Sequence, residues 1–274
     1  MLSAIAGHEI RDVHFNFIGT GLEPLPAVLT AEQCQAIRVA FTRHGLAMCG
    51  LSGTFNAIHP DTALRAELTR RVCLLIERCQ DLGAPIVSLC TGTRNPHNMW
   101  TGDAANHDQS ALDDLCSTLE TLLNAATQHK VYLGIEPEPA NVIHTAGRAR
   151  QLLDHFRSPY LKIILDAANL FHDDDVSRMR LVFDEAFELL GSDIVMAHAK
   201  EIPRRSDGDR APGQGLIDWK YFLTKLIASG FQGVLVLHNL EESSVAGGVA
   251  YLNQLLTSKL KTEGLITDAV FPSR

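Results

Sequence analysis

The feature that most constrains this chain is an alternation of seven short apolar runs, rich in Val, Ile and Leu, with longer segments of helical periodicity. The runs occupy residues 13–17, 46–51, 86–90, 131–136, 161–166, 194–199 and 234–238. Near-continuous apolar character of this length belongs to strands buried on both faces, and such strands occur in parallel sheets. Between them, Leu64, Leu68, Val72, Leu75, Cys79 and Leu82 recur at helical spacing and stop at Gly83, a C′ position. Thr30 and Gln33 fit a capping box for a helix that ends near Gly45. Further stripes run through Leu112, Leu115, Leu119, Leu122 and Ala126, and through Met179, Val182, Phe183, Ala186 and Leu190. The last two helices carry Trp219, Phe222, Leu223 and Leu226, then Val245, Val249, Leu252 and Leu256.

Strict alternation without a linker or a shift in composition predicts one α/β domain over residues 1–274, a TIM (β/α)8-type barrel. One unit is missing. Ahead of residue 13 there is room only for a helix at 2–7, so the first strand of eight is not visible. The sheet should therefore have seven strands, with open edges at 13–17 and 234–238. Such edges need narrowing by side chains, cover from a terminal segment, or burial in a homo-oligomer.

Composition sets outer limits on function. The formal net charge is −8 with no basic run, which argues against nucleic acid as the main partner and favours a small-molecule substrate. No apolar stretch approaches the roughly 20 residues that span a bilayer, and the first ten residues lack the basic and apolar regions of a secretory signal. A cytoplasmic protein with no membrane association is expected. Cys34, Cys49, Cys73, Cys79, Cys90 and Cys116 form no CxxC pair and sit in apolar-periodic segments, as reduced packing residues do. Cys90 alone lies at a strand end.

Barrels of this kind do chemistry where their strands end, so polar residues closing an apolar run carry weight. Four runs close that way. One reads Leu133-Gly134-Ile135-Glu136-Pro137-Glu138, and alternation puts Glu136 and Glu138 on one face, about 7 Å apart. The next ends at Asp166 with Asn169 three residues on, another at His198 with Lys200 on the same face, and the last at His238. A lone acid or histidine at a strand end is more often a cap or a satisfied polar group than a ligand. Four at the same end of successive strands point to one divalent metal ion held by Glu136, Asp166, His198 and His238. Mixed oxygen and imidazole donors suit Mn, Zn, Fe or Co, and Mg less well.

Other residues stand at the same end. Asn56 and His59, after a Ser52-Gly53-Thr54 turn, and Arg94, after Thr91-Gly92-Thr93, either touch a polar or anionic substrate or cap their loops. Lys200 either meets a substrate carbonyl or pairs with Glu201 or Glu138. Trp100 either covers the pocket or packs on a neighbouring chain. The acidic run at 173–175 reads as a solvated helix start.

Glu136, Asp166 and His198 on consecutive strands, followed by Pro212-Gly213-Gln214-Gly215-Leu216-Ile217-Asp218-Trp219, resemble the xylose isomerase-like sugar phosphate isomerase/epimerase superfamily. The resemblance runs from about Val13 to Leu256. It implies a metal-binding barrel in which Glu136 is both ligand and acid/base and Asp166 and His198 are ligands. Its members include ketose epimerases, hydroxypyruvate isomerase, dehydratases and endonuclease IV, so it specifies fold and site better than reaction. Two positions depart from it. The family usually closes its last strand with a glutamate that is ligand and second base, where this chain has His238, and often has histidine where this chain has Asn169.

The expectation is a metal-dependent isomerase or epimerase, acting in carbohydrate metabolism on a small sugar, sugar phosphate or hydroxy-keto acid through an enediolate. Glu136 or Glu138 would move the proton, Lys200 would assist the oxyanion, and Asn56, His59, Arg94 and Asn169 would bind substrate. With imidazole in place of the second carboxylate, one-base isomerisation or elimination is favoured over two-base epimerisation. The same residues would serve a dehydratase, and a barrel lacking a strand would also serve as a non-catalytic sugar binder. An AP endonuclease needs a larger His-rich cluster and a cationic groove.

Overall fold

The computed structural model describes residues 1–171, 175–204 and 210–262. Each of the seven apolar runs is a strand: β1 (Asp12–Phe15), β2 (Ala47–Ser52), β3 (Ile86–Cys90), β4 (Tyr132–Glu136), β5 (Leu161–Asp166), β6 (Ile194–Ala199) and β7 (Val234–Leu237). They form one parallel sheet in chain order. Helix α1 (Leu2–Gly7) precedes β1, and α2 (Ala31–Arg43), α3 (Thr62–Leu82), α4 (Gln109–His129), α5 (Ala146–Phe156), α6 (Met179–Leu190), α7 (Trp219–Ala228) and α8 (Glu242–Thr262) follow the strands in turn. Each crossover sets a strand beside its predecessor, as parallel βαβ units do. The result is a TIM-type barrel one strand short.

Strand boundaries differ from the apolar runs by a residue or two, with local reasons. β1 stops at Phe15 because the Asn16 side chain accepts from the Ile18 amide at 3.0 Å and opens a short 3-10 turn. His238 falls just beyond β7, though its amide still reaches the Ala199 carbonyl at 3.3 Å. Helix signals match closely. Thr30 and Gln33 make the reciprocal capping box of α2, and Gly83 ends α3 at φ 78°. Leu64, the first residue of the α3 stripe, is 41% exposed, because it lies in the first turn, clear of the sheet. All six cysteines are free, four buried and two half-buried. Asp173 and Asp174 of the acidic run lie outside the described residues, and a 3-10 turn begins at Asp175.

Between β1 and β7 there is no ladder. The gap is a cavity of about 500 Å³ lined by Ile5 of α1, Val13 and Leu235 of the two edges, and Val249 and Leu252 of α8. Apolar side chains from both flanking helices thus narrow it. No helix among the described residues is long and apolar enough to cross a membrane.

The outer faces of the strands pack on the helices around Phe17, Leu51, Phe183, Trp219 and Phe222, all fully buried. Inside the barrel a second, smaller cluster joins Cys49, Ile86, Ile164 and Met196, with Val234 and Val236 against it. Two glycines make that plug possible. A Cβ on Gly134 would come within 2.6 Å of Ile164, and one on Gly50 within 2.9 Å of Met196. The plug is the floor on which the mouth is built.

One loop at the mouth is anchored by a buried carboxylate. Glu201, just after β6, accepts from the amides of Ile202 at 2.9 Å, Gly213 at 3.0 Å and Ile217 at 3.0 Å, and from Trp219 Nε1 at 2.9 Å. Gly215 lies against it so closely that a Cβ would sit 2.2 Å from the Ile202 carbonyl. Removing the acceptor leaves buried donors unpaired at about 1–3 kcal/mol each. We expect Glu201→Ala to lower unfolding free energy by roughly 3 kcal/mol or more in urea titrations. Loss below about 1 kcal/mol would show the clamp to be dispensable.

Candidate metal centre

Parallel register delivers the mouth residues to one place. Asp166 is the direct ladder partner of His198, and Cys90 that of Glu136. Glu136, Asp166, His198 and His238 each present a donor atom, all within 4.8 Å of one another. His198 Nδ1 lies 3.3 Å from Glu136 Oε2 and 3.7 Å from Asp166 Oδ2, and His238 Nδ1 lies 3.2 Å from Asp166 Oδ2. Glu136, Asp166 and His198 are buried, whereas the His238 side chain is 44% exposed at the rim.

Each carboxylate is steadied through one oxygen. Asp166 Oδ1 accepts from the amides of Ala168 at 2.7 Å and Asn169 at 3.2 Å, which leaves Oδ2 toward the histidines. Glu136 Oε1 accepts from Asn169 Nδ2 at 2.8 Å, and Oε2 faces His198. Burial opposes ionisation of Glu136, but His198, His238 and Asn169 outweigh it and hold the carboxyl below its ordinary range. For His198 burial opposes the charged form, and Glu136 and Asp166 outweigh it and raise the imidazole. Neither ring nitrogen of His198 has a hydrogen-bond partner. Buried imidazole nitrogens left open beside two carboxylates are what a divalent cation would satisfy, and the donor set fits one.

Beyond these four, Glu138 lies buried in the loop after β4, where Cys90 Sγ donates to its Oε1 at 2.9 Å. Burial and the charge of Glu136 push its carboxyl up to about 7, against the Cys90 bond and Lys200. Burial pushes the Cys90 thiol up as well, so it stays a donor. Lys200 Nζ donates to Asn169 Oδ1 at 3.0 Å, which completes a chain from Lys200 through Asn169 to Glu136. It makes no bond to Glu201, whose carboxylate serves the loop clamp.

Three other candidates stand at the mouth, two of them, Asn56 and Arg94, with their polar groups committed. Asn56 pins the β3 loop, donating to the Thr93 carbonyl at 2.7 Å and accepting from its amide at 3.0 Å. Arg94 pairs with Asp114 at 2.7 Å and donates to the carbonyls of Ile58 and Ser110. His59 accepts from the Asp61 amide at 3.0 Å and, with Asn56, lines a cavity of about 560 Å³. Trp100 is 57% exposed.

Sequence reading passed over His14. Its ring stacks on His198 with centroids 5.4 Å apart, and its Nε2 lies 2.9 Å from Ser88 Oγ. Burial first, then His198, push its pKa down to about 4, so it is neutral near pH 7. The available signal was a histidine inside a strand otherwise read as apolar.

Fold and cluster together define a class: parallel (β/α) barrels that gather carboxylate and imidazole donors at the carboxyl end of the sheet. Within that class the chain belongs to the xylose isomerase-like TIM barrel family, whose sequence profile matches residues 6–255. No curated protein sequence matches it. Among solved structures it is similar to L-ribulose 3-epimerase, with a TM-score of 0.76 and 16% identity over 99% of this chain and 92% of that one. It is similar to a xylose isomerase-like TIM barrel protein from Mycobacterium smegmatis in complex with magnesium, with a TM-score of 0.73 and 17% identity over 94% and 88%. The IOLI protein with a bound zinc atom has a TM-score of 0.70 and 16% identity over 95% and 92%. At these identities the likeness is one of fold.

The raised carboxyl of Glu138 makes a test of the site in metal-free protein. Its folded pKa exceeds the unfolded value of 4.5, so its contribution to stability is full below that pH and is lost as pH rises through about 7. The loss is of order 3 kcal/mol at most. Glu136, shifted down, acts below this window, His198, shifted up, acts above its ordinary 6.5, and His14, held neutral down to about 4, acts within it with the opposite sign, adding stability as pH rises toward 6.5. With chelator present, the unfolding free energy of Glu138→Gln relative to wild type should rise by up to about 3 kcal/mol between pH 4.5 and 7 in denaturant melts, the His14 contribution cancelling in the difference. A difference that stays constant across this range would show that Glu138 does not titrate there.

Proposed function

We propose that this chain is a divalent-metal-dependent isomerase or epimerase of a small hydroxycarbonyl compound, a sugar, sugar phosphate or hydroxy-keto acid. The observation that carries the reading is the cluster of buried Glu136, Asp166 and His198 with His238 at its rim, both His198 nitrogens being open. These four would hold the ion, whether Mn, Zn, Co, Fe or Mg. When bound, such an ion supplies electrophilic stabilisation of negative charge developing on a substrate oxygen.

The chain's own residues would do the rest. Glu138 has a carboxyl poised near neutrality and held by Cys90, so it can take a proton from carbon and return it to the neighbouring carbon. Lys200, anchored on Asn169, would face the developing oxyanion, and Asn169 would keep Glu136 oriented as a ligand. His238 places an imidazole Nδ1 against Asp166, where a second carboxylate base would be needed on the opposite face of the carbon. One-base isomerisation through Glu138 is therefore favoured over two-base epimerisation. Elimination of water uses the same single acid/base and is the second reading.

Mass and metal analysis separate these outcomes. Wild-type protein should bind about one divalent ion per chain, and Asp166→Ala should weaken that binding by more than about 100-fold while leaving the fold intact. Against a panel of hydroxycarbonyl compounds, an isomer of unchanged mass supports isomerisation, and a product lighter by one water supports the lyase reading. Full metal occupancy of Asp166→Ala, or metal retained with no turnover of any compound, would overturn the proposal.

A further inference from the structure

A ligand imidazole normally has its orientation set by a hydrogen bond from its second nitrogen, and that outer partner tunes the metal. His198 has none: it is 2% exposed and neither nitrogen is bonded. The second torsion of histidine is broad and two-fold, so rotamer preference alone does not fix the ring plane. Packing has to supply the orientation.

Two rings supply it. His238 lies on one side, with centroids 4.6 Å apart at an interplanar angle of 57°, and is itself partly exposed at the rim. His14 stacks at 5.4 Å with planes only 30° apart, and it is fixed from behind by Ser88 Oγ at 2.9 Å. Ser88 sits in turn on β3, with its hydroxyl also 3.4 Å from the Leu51 carbonyl. The β1–β2 ladder is altered at this point. Val13 pairs with Met48, but His14 pairs with Gly50, one residue further on. Irregularities of this kind re-aim a side chain, often beside an active site. Gly50 lies beside the ring, where a Cβ would make only ordinary contact with His14, at 3.5 Å.

We propose that His14 is a positioning residue for His198: aimed by the β1 irregularity and locked by Ser88, it holds the His198 plane so that Nδ1 faces Glu136 and Asp166. This rests on the metal reading above. It assigns to β1, the edge strand without a ligand of its own, a part in the centre on β4–β7.

Cobalt binding tests it, because the visible absorption of Co2+ reports donor geometry and not merely occupancy. His14→Ala should weaken Co2+ affinity by roughly 10- to 100-fold and alter the absorption envelope, with thermal unfolding still cooperative. His14→Phe keeps a planar ring against His198 and should recover most of the affinity. Ser88→Ala frees the His14 ring without opening a large cavity, and should change the spectrum with a several-fold loss of affinity even if His14→Ala proves too unstable to purify. Wild-type affinity and spectrum in folded His14→Ala or, where that variant cannot be purified, in Ser88→Ala would overturn the assignment while leaving the metal centre standing. Absence of Co2+ binding by wild-type protein would overturn both.

Discussion

The mouth of this barrel depends on holding two buried carboxylates, Glu136 and Asp166, with oxygens within 4.8 Å of each other. Like charges in low dielectric drive one of the pair to protonate unless positive charge or donors intervene. Here the intervention is layered: His198 and His238 face the inner oxygens, while Asn169 and the amides after Asp166 take the outer ones. Every one of these partners comes from a different strand end or from the turn that follows it. The site therefore exists only if the ladders hold register, since a one-residue slip would turn each donor out of the mouth.

Register is protected by the barrel's interior. Ile86, Ile164 and Met196 fill the space beneath the cluster, and Gly50 and Gly134 are the small residues that let them meet. Irregular pairings fall at Val13/His14 and Ile163/Ile164, on the strands that present His14 and Asp166. The open side between β1 and β7 leaves β4, β5 and β6, which carry Glu136, Asp166 and His198, each paired on both edges. Of the four donors only His238 belongs to an edge, and it is the one exposed at the rim.

Most of this architecture was legible because its signals are local. Apolar runs at βα spacing marked all seven strands, and Thr30/Gln33 and Gly83 marked helix ends through capping chemistry that acts over three or four residues. The four cluster residues were visible because each closes an apolar run. What escaped depends on contacts across the barrel. His14 looks like a stray polar residue until β1 is laid beside β3 and β6, which brings Ser88 and His198 to it from 74 and 184 positions away. Arg94 and Asn56 could not be sorted between substrate and scaffold, because Asp114 and Thr93, which engage them, are named by no local pattern.

Charge balance gives an imidazole at the last strand a physical meaning. Glu136 and Asp166 contribute two negative charges and the two histidines, bound as neutral imidazoles, contribute none, so a divalent ion would neutralise the set. A third carboxylate in place of His238 would leave the centre net negative and favour harder, oxygen-preferring ions. It would also raise the cost of ionising Glu138, which burial and then the charge of Glu136 already push up to about 7. In the proposed reading, an uncharged ligand at the rim would spare Glu138 that further cost and leave it able to serve as the single proton carrier. In that reading, imidazole as the fourth donor and proton transfer by Glu138 would be two sides of one electrostatic arrangement.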